Sequence, residues 1–209
     1  MRRNVLVAVT AAVAALLVSN LLGSAVAEHT PADKVSVASS EMEEMTALVV
    51  DGSESQTVDL FSVQMRTSSP ADLVIQATSE CALVTDLFNV GNSDESAVAQ
   101  VKMWVEIDGD RVPIAAADQS RGEVVFCNRA FRSVITDLDD EDAKFDKYLR
   151  TRAANAFNWI ALDVGSGVHE IVVKAQLEAT STSGGQAQAT VGNRTLTIEP
   201  THLVNDATL

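Results

Sequence analysis

Basic side chains are scarce in this chain of 209 residues: 15 Lys and Arg stand against 29 Asp and Glu, and the basic ones do not gather into a patch. A net charge of −14 repels phosphate backbones and anionic headgroups alike, so nucleic acid and acidic lipid surfaces are poor partners. Histidine is rarer still, with three copies, and His29 and His202 lie near the two ends, which leaves no persuasive Ser-His-Asp set. Aromatic residues make up only 4% of the chain, so an extended stacking surface is not on offer. Cysteine is limited to Cys81 and Cys127, neither in a C-x-x-C, which argues against thiolate metal sites and a catalytic thiol.

Long apolar runs are also missing after the first 27 residues. Within them, Arg2 and Arg3 precede the run Val5 to Leu22, and Gly23-Ser24-Ala25-Val26-Ala27 supplies the small residues of an A-x-A cleavage site. This pattern predicts a signal peptide over residues 1–27 and a secreted or extracytoplasmic mature chain beginning Glu28-His29-Thr30. No membrane insertion is expected after cleavage, because nothing later is long and apolar enough to span a bilayer. The leader takes two arginines and no acid with it, so the mature chain is more acidic than the whole.

In an oxidising compartment two cysteines read first as one disulfide. Closing a loop of about 47 residues is worth on the order of 4 kcal/mol in the chain-entropy model.

Residues 28–44 are small and polar, without sustained periodicity, and predict a mobile N-terminal segment ahead of a single β domain over 45–209. From there short runs rich in Val, Ile, Thr and Phe recur between Asp, Asn, Gly and Ser, the rhythm of an antiparallel β protein. The clearest hairpin has Val101, Met103, Val105 and Ile107 alternating with Lys102, Trp104 and Glu106 before Asp108-Gly109, a pair suited to a type I′ turn. A second long hairpin is expected around Gly165-Ser166-Gly167, with His169, Ile171, Val173 and Ala175 on one side and Glu170, Val172, Lys174 and Gln176 on the other. Residues 137–154 break the pattern: acids lead, bases trail, and Phe145, Tyr148, Leu149 and Ala153 follow at spacings of three, one and four, which predicts a short amphipathic helix. The fold class is all-β, an antiparallel β-sandwich of jelly-roll or immunoglobulin-like type with one short helix.

Candidate sites are few. The acids Asp137, Asp139, Asp140, Glu141 and Asp142 supply the oxygen ligands calcium needs, but the run lacks the EF-hand glycine and final glutamate and reads first as a solvated helix start, with calcium the alternative. No other cofactor is implied. Trp104, Trp159 and Tyr148 are the candidates for sugar stacking: Trp159, between Phe157-Asn158 and Ile160, reads as core, whereas Trp104, flanked by charges on its own face, is the candidate binding residue. His169-Glu170 lacks the second His of a metalloprotease helix, and Ser166 lacks the glycine spacing of a nucleophile elbow. Asn193-Arg194-Thr195 is a glycosylation sequon.

The run Val105-Glu106-Ile107-Asp108-Gly109, followed by Phe126-Cys127, Gly167-Val168-His169-Glu170-Ile171-Val172-Val173 and Arg194-Thr195-Leu196-Thr197-Ile198, resembles a layout found in secreted bacterial β-sandwich domains of unassigned role. The resemblance covers about residues 45 to 200; its motifs mark turns and carry no catalytic residue, so it implies a fold and not an activity. The expected function is that of an exported, non-catalytic binding or structural domain, with a cell-surface polysaccharide or a protein as partner. The alternative is a secreted hydrolase with paired carboxylates drawn from Asp108, Asp110 and the acids at 137–142.

Overall fold

Eight antiparallel strands make up the computed structural model, which describes residues 35–39, 49–90, 93–114, 121–135 and 144–201. In chain order they are β1 (Val35–Ser39), β2 (Val49–Thr67), β3 (Ala71–Val90), β4 (Ser93–Ile107), β5 (Asp110–Arg111), β6 (Val124–Ile135), β7 (Lys144–Val164) and β8 (Gly167–Thr201). The 35-residue β8 organises the rest. Its first half lies between β2 and β4, and β4 continues to β6 and β5; its second half lies between β1 and β3, and β3 continues to β7. One strand thus runs through both sheets of the β-sandwich.

The period-two pattern fixes which faces meet. Val101, Met103 and Val105 of β4 and Ile171, Val173, Ala175 and Leu177 of β8 are buried, as are Leu73, Ile75, Ala77, Cys81, Leu83 and Leu87 of β3. Beyond Asn193, a non-glycine residue at φ +40°, the buried parity of β8 changes from Ala187, Ala189 and Val191 to Leu196 and Ile198. A register shift between Thr78 and Glu80 marks that bulge and keeps both halves of β8 facing the core. The expected disulfide is present: Cys81 of β3 and Cys127 of β6 join the sheets, with Cα atoms 6.6 Å apart. Trp159 of β7 makes a second tie, its buried Nε1–H donating to the Gly122 carbonyl at 2.8 Å.

Three expectations need correction. Residues 144–154 belong to strand β7, not to a helix; the four-residue spacing of Phe145, Leu149 and Ala153 satisfies period two as well as period 3.6, and pairing with β3 decides between them. Residues 137–143 lie outside the described residues. Gly165-Ser166-Gly167 does not close a hairpin, because β7 pairs with β3 and the following residues of β8 pair with β2 and β4, so the turn carries the chain between sheets. Within the segment expected to be mobile, Val35–Ser39 forms β1 against Arg194 to Ile198, with Val35 buried.

Candidate functional site

The candidate residues fall in two places. The first is the end of the sandwich where the β4–β5 turn meets the start of β8. Asp108 at φ +52° and Gly109 at φ +89° form the expected turn with both central residues at positive φ. This brings the Asp108 carboxylate 2.7 Å from His169 Nδ1, and it accepts the Glu170 backbone N–H at 2.9 Å. The second ring nitrogen of His169 lies 2.9 Å from the Gly165 carbonyl. A carboxylate and a carbonyl only accept, so both contacts are satisfied together when the ring is protonated. The bond to Asp108 raises the His169 pKa, and the same bond, with the Glu170 N–H, lowers that of Asp108. These groups border an open cleft of about 360 Å³ whose walls include Ile107, Val112, Pro113 and Leu162. With both nitrogens engaged, His169 is a staple between turns and has no lone pair for general-base work.

Trp104 sits beside this end, and its ring is covered. It is 4% exposed, with the Arg111 guanidinium 4.2 Å above the ring centroid and its Nε1–H donating to Glu106 at 2.8 Å. Glu106 also receives Lys174 at 2.9 Å, and against the cost of its burial these two bonds lower its pKa. Lys102 bridges Glu178 at 3.0 Å and Glu123 at 3.7 Å, so the outer face of this sheet is a matched lattice of charge. Trp159 is in the core, as expected.

The second place is the outer face of the other sheet, where Tyr148, one of the three stacking candidates, meets residues that sequence reasoning did not single out. Tyr148 of β7 is 58% exposed and Phe88 of β3 is 45% exposed. Register puts Tyr148 opposite Asp86 and Arg150 opposite Val84, with Arg152 opposite Ala82. On the other side of β3, Gln186, Gln188 and Thr190 of β8 complete the same three rows. Between the rows runs a shallow groove of about 200 Å³ with Ala82 and Val84 in its lining. Arg152 pairs with Glu80, whose carboxylate also accepts Asn193 at 3.1 Å. Burial, together with the charge of Asp146 and a hydrogen bond to it, raises the pKa of Asp86. Arg150 has no acid within ion-pair distance among the described residues.

The proposed calcium ligands Asp137, Asp139, Asp140, Glu141 and Asp142 lie outside the described residues. Among the described residues no three of His, Cys, Asp and Glu are placed to hold a metal ion. Asp110 pairs with Ile107 across the β4–β5 turn, and the carboxylate of Asp108 within that turn is already committed to His169. No described helix is long and apolar enough to cross a membrane.

No family model matches this chain, and no curated protein matches it in sequence. Among solved structures it is similar to that of infectious bursal disease virus Gx strain, at 12% identity and a TM-score of 0.31 over 83% of this chain and 32% of that one. The Gt strain follows at 9% and 0.25, over 83% of this chain and 37% of that one. A CocE/NonD family hydrolase from Staphylococcus aureus is similar at 10% and 0.21, over 77% of this chain and 37% of that one. The chain spans about a third of the length of these proteins. At such TM-scores none of them bears on function.

Proposed function

We propose that this protein is exported and acts as a non-catalytic β-sandwich binding domain for a cell-surface polymer or a protein. The observation that carries the reading is the exposure of Tyr148 and Phe88, diagonal to one another across β3 and β7 and near Arg150, while the charged groups around Lys102, Lys174 and His169 are matched among the described residues. The disulfide between Cys81 and Cys127 is compatible with an oxidising compartment, and the leader pattern of residues 1–27 supports export. Mass spectrometry of the protein recovered outside the cytoplasm should find Glu28 at its N-terminus, and an intact Met1 or a purely cytoplasmic product would contradict export.

The rival reading, hydrolysis by paired carboxylates, has one structural point in its favour: Asp86 and Asp146 are diagonal neighbours across β3 and β7, and burial with the charge of Asp146 raises the pKa of the first. The two carboxyl groups interact as close neighbours, whereas glycoside cleavage holds its pair about 5 to 9.5 Å apart to admit substrate or water. Co-sedimentation of the mature protein with cell-envelope material, beside assays on generic ester, glycoside and peptide substrates, separates the readings. Saturable retention without turnover is expected; turnover abolished in Asp86→Asn would favour the hydrolase.

A further inference from the structure

We infer that the groove crossing β8, β3 and β7 is a binding site for a neutral polysaccharide chain, with Tyr148 as the ring on which a sugar stacks. The inference rests on the reading of the protein as a binding domain and names its ligand class.

Tyr148 combines a flat apolar face with a phenolic tip that both donates and accepts, and it stands clear of the sheet at 58% exposure. Phe88 lies diagonal to it across the β3–β7 pair, a relation that separates residues by about 7 to 8 Å, within reach of one ligand. The groove beside them has a low floor because Ala82 occupies the next row but one, so an extended chain can lie along the surface. Its rim supplies donors from Arg150 and donors with acceptors from Gln188 and Thr190, the mixture that hydroxyl groups need.

Charge selects a neutral ligand. Arg150 and Arg152 are offset locally by Glu80, Asp86 and Asp146, and Arg152 is already paired with Glu80. A polyanion would find no net positive field here and would meet repulsion from a chain of net charge −14. A protein partner wants a desolvated aromatic centre ringed by polar groups, whereas here each ring stands opposite a carboxylate, Tyr148 opposite Asp86 and Phe88 opposite Asp146.

Tyr148 is the only tyrosine of the chain and no described cysteine is free, so the 3-nitrotyrosine that tetranitromethane forms reports on this ring alone. The test compares the nitration rate of the mature protein in neutral gluco-, manno- and galacto-oligosaccharides, in polygalacturonate, and in buffer. At least one neutral oligosaccharide should slow nitration, and Tyr148→Ala should weaken its binding about tenfold, with Tyr148→Trp retaining it. Protection by polygalacturonate alone would overturn the ligand class, and no protection by any saccharide would overturn the site. Envelope retention that survives Tyr148→Ala in either case would leave the binding-domain reading standing without this groove.

Discussion

His169 and Asp108 are joined at 2.7 Å across the end of the sandwich, and the imidazole is held at its far nitrogen by the Gly165 carbonyl. One ring therefore connects the β4–β5 turn, the start of β8 and the crossing from β7. Thr67 at the end of β2 donates to the same Gly165 carbonyl, which ties in a fourth element.

The pH dependence of this staple follows from the two shifts. His169 has a folded pKa above 6.5, so its contribution is fully present below about pH 6.5 and is lost as pH rises through the raised value. Asp108 has a folded pKa below 3.8, so its contribution is present above about pH 4 and is lost as pH falls through the lowered value. Urea unfolding of wild type and His169→Ala should differ by about 1 to 2 kcal/mol near pH 5 to 6, discounted for the exposure of Asp108, and converge toward pH 9. A difference that is flat with pH would mean that the ring acts by packing alone.

The disulfide should matter more than any single hydrogen bond. Cys81 and Cys127 are 46 residues apart and are held on facing sheets, so opening the bridge releases a large loop in the unfolded chain. Cys81→Ala/Cys127→Ala should lose about 2 to 4 kcal/mol in denaturant unfolding, and reductant should lower the wild-type midpoint without affecting the variant.

Gly122 has little room for a side chain. It lies at φ +79°, and a Cβ there would overlap the Val112 carbonyl, while its own carbonyl accepts from Trp159. Gly122→Ala should cost about 3 kcal/mol or more, or prevent folding. Gly109, at φ +89° with nothing near its absent Cβ, provides the comparison: Gly109→Ala should cost only about 1 kcal/mol. Equal losses in thermal scans of the two variants would contradict the crowding at Gly122.

Much of the fold is written in local pattern. Val101, Met103 and Val105 alternate with polar neighbours because one face of β4 meets the core, and Asp108-Gly109 announces its own turn. Pattern fails where two periods coincide, as at residues 144–154, and where turn chemistry shows that the chain reverses but not which strand it joins, as at Gly165-Ser166-Gly167. The groove was hidden for a different reason. Tyr148, Val84 and Gln188 come from three strands and meet only through cross-strand register, which no local signal encodes. Trp104 misleads in the opposite sense: charged neighbours suggest a solvent-facing ring, yet Arg111 lies over it and Glu106 holds its N–H.

Isothermal titration calorimetry of the mature protein with extracellular polymers is the most direct test that this is a binder rather than a catalyst. The expected record is a series of heats that decline to zero at a fixed stoichiometry and weaken in Tyr148→Ala. Heat flow that persists after each injection until substrate is consumed would contradict it.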